Sequence, residues 1–311
     1  MNYIFLDEIQ MVPEFERVLD SLFVKENVDL YVTGSNAYML SGELAPLLSG
    51  RYVELKVYPL SFVEFFNTLA GDKATVFQRY LEFGGFPYAT EIPDELTYRD
   101  YISGIVNTVL IKDVLQRKQR SDATLVEQLA KYLTDSSGSL VTIKKIADTL
   151  TSMGQKTTSD TVSTYLSGFQ EAYLFFRADR YDIAGKKYLS INSKYYPVDQ
   201  SLRKVLLGNK RPNFGHRLEG VVYLELLRRG YQVFIGNIGE FKIDFVAQKN
   251  GVTEYYQVSL TVEDDRTYQR EVRPFQSIQD NYRKILLTMD NGRYNQEGIE
   301  QLNIIDWLLA R

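Results

Sequence analysis

The sequence predicts an α/β protein of several domains, and three observations carry that expectation. Tyr3 to Leu6 is a short apolar run that stops at two adjacent carboxylates, Asp7 and Glu8, the pattern of a buried strand whose end meets the edge of a sheet. Glu14 to Phe23 places Phe15, Val18, Leu19 and Leu22 on one helical face, and a second apolar run, Leu30 to Val32, then leads into Thr33, Gly34, Ser35 and Asn36. Two such strands joined by a helix form a right-handed crossover with parallel strands. Thirdly, strand and helix patterns alternate again from residue 201 to residue 311.

The remaining elements follow in order. Tyr52 to Val57 reads as a third strand closed by Pro59. Ser61 is placed to cap a helix beginning Phe62-Val63-Glu64, and the pattern stays helical to about Arg120, broken at Gly84-Gly85-Phe86-Pro87. Helices over 123–134, 142–150 and 159–172, followed by strands near 173–180 and 186–191, make three helices and a two-stranded wing, the order of a winged helix. Leu218 to Arg228 is an amphipathic helix. Strands follow at Gln232 to Ile235, Ile243 to Gln248 and Glu254 to Ser259, with Asn250-Gly251 as a hairpin turn. Arg266 to Gln279 is helical, Lys284 to Met289 a strand, and Ile299 to Ala310 a terminal helix. The expected domains are 1–60, 61–120, 121–200 and 201–311.

Composition narrows the function classes. A chain of 311 residues has material for two or three domains of about 100–200 residues each. No apolar stretch approaches the ~18–20 residues of a membrane span, and the first apolar run ends in acid, unlike a secretory signal. Without cysteine there is no disulfide, thiolate nucleophile or cysteine-held zinc, which fits a reducing interior and an expected cytoplasmic location. A formal charge of −4 gives nucleic acid no global attraction, so such binding needs a local basic face. The single histidine, His216, is assigned no role.

The Asp7-Glu8 pair carries the first chemistry. At a strand end beside bound phosphates, an Asp holds magnesium through water and the next Glu polarises the attacking water, as in P-loop ATPases. Thr33 and Ser35, ending the neighbouring strand, stand where a polar side chain reads a γ-phosphate. Arg51, after Ser49-Gly50, is either a finger reaching a nucleotide in a neighbouring subunit or a structural arginine paired with a carboxylate.

Leu6-Asp7-Glu8-Ile9-Gln10, Thr33-Gly34-Ser35, Leu48-Ser49-Gly50-Arg51, Tyr58-Pro59-Leu60-Ser61-Phe62-Val63-Glu64-Phe65 and Gly84-Gly85-Phe86-Pro87 together resemble the prokaryotic AAA+ superfamily ATPases. The resemblance implies a P-loop NTPase parallel sheet, a helical lid, a winged helix and a C-terminal restriction-endonuclease-like α/β domain, with ATP and Mg as cofactors and Asp7 as the metal-facing residue. The family's phosphate loop, ending Gly-Lys-Ser/Thr, has no counterpart in these 311 residues. The chain is therefore expected to be part of the P-loop machinery and not to hydrolyse ATP alone. A strand whose neighbours are missing is also expected to expose apolar surface and to pair with another polypeptide or a second copy of the chain.

Lys194-Tyr195-Tyr196 with Asp199, Glu219, Ile243-Asp244-Phe245, Gln257-Val258-Ser259 and Arg270-Glu271 resemble that family's C-terminal domain. Glu219 on a helix, Asp244 on a strand and Gln257 and Ser259 on the next strand follow the order of a PD-(D/E)xK nuclease core. Gln257 stands at the third acid and Ser259 at the lysine. A neutral amide is a weak magnesium ligand and serine lacks the ammonium charge, so a metal at Asp244 and nuclease activity are not expected, and a fold kept for binding is. Arg266, Arg270 and Arg273 share one helical face and either contact phosphates or form a solvated face paired with Asp264, Asp265 and Glu271. In the winged helix, residues 159–171 carry acids and no Lys or Arg; with only Lys156, Lys186 and Lys187 nearby, this module is expected to pack against protein. The alternative function is thus a nucleic-acid or protein interaction module.

Overall fold

The computed structural model describes residues 1–34, 52–92, 94–109, 114–115, 122–208, 213–291 and 294–310. Ser35 and Arg51 lie outside them. The amino-terminal unit is the expected crossover: β1 (Asn2–Leu6), α1 (Phe15–Phe23) and β2 (Val28–Val32), with β1 and β2 parallel and Leu6 opposite Val32. Its sheet has two strands, and Tyr3 and Phe5 are 62% and 72% exposed, Phe5 stacking on Tyr31 at 4.9 Å.

Residues 52–57 form no strand, and most are exposed. Among the described residues no strand pairs with this apolar alternation, and β propensity without a partner does not hold an extended segment in a sheet. Helix α2 (Phe62–Asn67) begins with a capping box: Ser61 Oγ accepts from the Glu64 N–H while the Glu64 carboxylate accepts from the Ser61 N–H. Next come α3 (Lys73–Phe83), α4 (Glu95–Thr108), α5 (Ala123–Asp135), α6 (Ile143–Ser152) and α7 (Ser159–Glu171). Helices α4 to α7 bury one core, with Tyr98, Ile102, Leu129, Ile146 and Phe169 among its residues, shared with Phe175, Tyr195 and Leu202 further along the chain.

The strands β3 (Phe175–Asp182) and β4 (Lys187–Pro197) follow α7 as expected, but they are longer and are not a free wing. They form one margin of an eight-stranded mixed sheet with β5 (Gln232–Ile238), β6 (Phe241–Lys249), β7 (Val252–Val258), β8 (Arg283–Thr288), β9 (Tyr294–Gln296) and β10 (Ile299–Asn303), in the order β4-β3-β5-β6-β7-β8-β10-β9. The turn between β6 and β7 is Asn250-Gly251, both at positive φ (51° and 79°), as a two-residue hairpin requires. One sheet face is covered by α9 (Phe214–Arg228), α11 (Ile304–Leu309), α2 and α3, and the other by α10 (Asp265–Gln276). The short helix α8 (Ser201–Leu207) packs on α4 and α5.

The expected terminal helix over 299–310 is instead strand then helix. Glu297-Gly298, at φ 54° and 75°, turns β9 onto β10, and Asn303 Oδ1 then caps α11 by accepting from the Ile305 and Asp306 N–H groups. The terminal apolar residues therefore serve a strand pair first and a helix second.

One junction ties the helical segment to the sheet. Gly85 N–H donates to Asp199 Oδ2 at 2.6 Å, and the Gly85 carbonyl accepts from Leu60 N–H at 2.6 Å. A Cβ on Gly84, which sits at φ 73°, would lie 1.7 Å from Asp199 Oδ1, and one on Gly85 2.3 Å from the Leu60 carbonyl oxygen. The glycine pair is thus demanded by close approach of backbone and carboxylate. No helix among the described residues is long and apolar enough to cross a membrane.

Candidate functional site

Two groups of polar side chains stand out. The first is at the carboxyl end of β1. The parallel register carries Thr33 past Leu6, so its N–H donates to the Leu6 carbonyl at 2.9 Å and its hydroxyl donates to Asp7 Oδ1. The same hydroxyl accepts from the Glu8 N–H at 3.3 Å, and Glu8 takes a left-handed turn at φ 47°. Asp7, Glu8 and Thr33 are exposed and contiguous. Their oxygen donors suit a magnesium ion held through water, and their exposure leaves a face for phosphates. The backbone-amide cradle that a triphosphate needs is another matter, because the 311 residues contain no Gly-Lys-Ser/Thr loop.

The second group is buried between α9 and the sheet. A bulge builds it: pairing of β5 with β6 jumps from Phe234↔Val246 to Gly236↔Ile243, so Asp244 and Phe245 together face Ile235. Gly236 is obligatory there, since a Cβ would sit 2.7 Å from Ile243 Cβ. Pairing of β6 with β7 stops at Phe245. Beyond it side chains take over: Asp244 N–H donates to Gln257 Oε1 at 2.7 Å, and Asp244 Oδ2 accepts from the Val258 N–H at 3.0 Å. Gln257 Nε2 in turn donates to Glu271 on α10 at 2.9 Å.

Glu219 projects from α9 toward Asp244, and Lys194 on β4 comes between them. Its ammonium donates to Glu219 Oε1 and lies 3.6 Å from Asp244 Oδ1, while the Tyr196 hydroxyl also donates to Glu219. Burial raises the Glu219 pKa, opposed by Lys194. For Lys194, burial pulls the pKa down but the Glu219 and Asp244 charges outweigh it, and the net direction is up. The ammonium is thus held charged between two carboxylates. His216, half-buried, has its pKa lowered by burial and then by Lys194; a Cβ on Gly138 would lie 3.0 Å from its ring and 3.2 Å from Glu219 Oε2.

Of the residues singled out in the sequence, Asp7, Glu8 and Thr33 meet at one strand end, and Glu219, Asp244 and Gln257 meet at the bulge. Ser259 is turned to the Thr261 carbonyl at 3.1 Å and contributes no charge. The ammonium comes from Lys194 instead, whose charge within an apolar strand beside Tyr195 and Tyr196 was the signal of a buried partner. Arg266, Arg270 and Arg273 are exposed on α10; Arg270 pairs with Glu271 at 2.8 Å, and Arg273 lies over the Phe241 ring at 5.3 Å. No group of three or more His, Cys, Asp or Glu residues able to hold a metal occurs among the described residues.

Comparison with known proteins adds identity to this geometry. Residues 1–66 match a family described as an AAA domain, and residues 74–213 match a Domain of unknown function (DUF8612). An uncharacterized protein of Haemophilus influenzae is 40% identical over 316 residues, covering 99% of this chain and 77% of that protein. An uncharacterized protein of Methanocaldococcus jannaschii, MJ1544, is 27% identical over 324 residues, covering 97% of this chain and 71% of that protein. The chain belongs to the same family as the Haemophilus influenzae protein, and its residues 1–66 are similar to an AAA domain.

Proposed function

We propose that this chain is an AAA+-type ATP-binding protein, or part of one, in which residues 1–60 carry the catalytic strand end. The observation that carries this reading is the clamp of Asp7 and Glu8 by the Thr33 hydroxyl across parallel strands, inside the region matching an AAA domain. When bound, Mg²⁺ neutralises charge on the β- and γ-phosphates. Asp7 would hold that ion through water, Glu8 would orient the attacking water, Thr33 or Ser35 would read the γ-phosphate, and Arg51 would reach a nucleotide in a neighbouring subunit. In this reading 61–120 is the lid, 121–200 a winged helix whose hairpin continues the sheet, and 201–311 a nuclease-like domain.

The 311 residues contain no Gly-Lys-Ser/Thr loop, so in this reading they do not hydrolyse ATP by themselves. Exposed Tyr3, Phe5 and Tyr31 support pairing of this sheet with further polypeptide, from another chain or a second copy. The test is phosphate release from Mg-ATP by residues 1–311, compared with the same residues preceded by a strand–phosphate loop–helix segment. Turnover is expected only from the extended chain; turnover by residues 1–311 alone contradicts the proposal.

A second reading concerns the C-terminal domain. Lys194 already pairs with both Glu219 and Asp244, which favours a nuclease-like fold used for binding nucleic acid or protein over metal-dependent cleavage. Magnesium- or manganese-dependent nicking of DNA, lost on Asp244→Ala, would overturn it.

A further inference from the structure

A cavity of about 700 Å³, not lined by the Asp7 strand end, opens between residues 56–64, the carboxyl end of α9 and the end of α11. Its walls carry four cations, Lys56, Arg228, Arg229 and Lys249, against two carboxylates, Glu64 and Glu225. The two carboxylates offset part of that charge and leave the wall net positive. Glu64 is engaged by the Ser61 N–H and hydroxyl at 2.8 Å, and Glu225 is already shared by Arg229 at 2.8 Å and Arg228 at 3.7 Å.

Neutral acceptors also orient three of the cations. Arg228 Nη2 donates to the Pro59 and Leu60 carbonyls at 3.1 and 3.4 Å, Arg229 Nη2 to the Trp307 and Ala310 carbonyls at 2.8 and 2.9 Å, and Lys249 to the Arg229 carbonyl at 2.5 Å. Carbonyl partners fix the direction of a cation without cancelling its charge. Lys56, exposed at the mouth, has Glu54 at 3.8 Å. Within this wall Arg228 Nε and Glu225 Oε2 are buried without a hydrogen-bond partner, the signature of a polar site not satisfied by the protein alone. Tyr58 and Tyr231 supply aromatic surface, each already beside a cation: Arg228 lies 5.8 Å from the Tyr58 ring and Lys249 5.6 Å from the Tyr231 ring.

We propose that this cavity binds a small, multiply charged phosphorylated molecule, its phosphates on Lys56, Lys249 and the arginine pair and any ring against Tyr58 or Tyr231. The size lies within the roughly 300–1,000 Å³ of small-molecule pockets, and paired arginines are suited to planar recognition of phosphate oxygens. A local cluster of four cations on a chain of net charge −4 fits a small anion better than an extended nucleic-acid backbone, which needs a basic track. The site is separate from the Asp7 strand end and does not depend on that site's function.

Calorimetric titration of residues 1–311 with pyrophosphate and with ADP tests it, because pyrophosphate reports phosphate recognition alone and ADP adds the ring. Single-site binding of either probe is expected, weakened at least about tenfold by the exposed pair Lys56→Gln/Lys249→Gln. Folding of the variants is checked by thermal unfolding. Absence of binding by both probes, binding insensitive to the double substitution in a folded variant, or displacement of the probes only by long oligonucleotides would each overturn the proposal.

Discussion

Lys194 and Glu219, on β4 and α9, form a buried ion pair, and the same ammonium lies 3.6 Å from Asp244. One cation thus serves two carboxylates brought together by a helix and a strand bulge. Removing it leaves the Glu219 carboxyl buried without its cation and Asp244 without a counter-charge. Lys194→Met is therefore expected to destabilise the fold by ~3–5 kcal/mol, the cost of breaking a buried pair from one side. Adding Glu219→Gln should recover part of that loss, a coupling that urea unfolding of the single and double variants measures.

Glu219 also gives the cluster a pH dependence whose sign is fixed. Folding raises its pKa above the ordinary 4.5, so the folded state holds the proton more tightly than the unfolded chain. Its contribution to stability is complete below 4.5 and is lost as pH rises through the raised folded value. Wild type should lose stability relative to Glu219→Gln between about pH 5 and about pH 8, read as the difference in urea midpoints.

The Gly84-Gly85 turn and Asp199 form the junction between the helical segment and the sheet. A methyl group at Gly85 meets the Leu60 carbonyl at 2.3 Å, backbone against backbone, with no flexible side chain to yield. Gly85→Ala should cost roughly 1–3 kcal/mol, the usual range for overpacking, with loss of amide-exchange protection at Leu60, whose N–H bonds to the Gly85 carbonyl.

Gly236 is the corresponding test of the bulge. Gly236→Ala drives a Cβ against Ile243 at 2.7 Å and Val246 at 2.9 Å, and should cost roughly 1–3 kcal/mol. The displaced Asp244 should also lose its bond from the Val258 N–H, visible as faster hydrogen exchange at Val258.

Much of this architecture was legible because local signals agreed with the tertiary outcome. The apolar run ending at Asp7, the Ser61 capping box, the Asn250-Gly251 turn and the periodicity of α5 to α7 each specify their own geometry. What escaped the sequence depended on partners distant in the chain. Tyr52 to Val57 has strand propensity but no partner strand among the described residues, Ile299 to Asn303 is made a strand by β8 and β9, and the β3–β4 hairpin is drawn into the large sheet by β5. The candidate sites divide similarly. Asp7 with Glu8 is a contiguous motif, whereas Lys194 reaches Glu219 only through the packing of α9 over the sheet, and the cationic cavity collects residues from widely separated segments.

The most direct test of the nucleotide reading is single-turnover ATP hydrolysis by the chain preceded by a phosphate-loop segment, with and without Glu8→Gln. The account predicts that Glu8→Gln retains Mg-ATP binding and lowers the hydrolysis rate about 10²–10⁴-fold, the usual contribution of a positioned base. Undiminished hydrolysis in Glu8→Gln would contradict the assignment of this strand end as the catalytic edge.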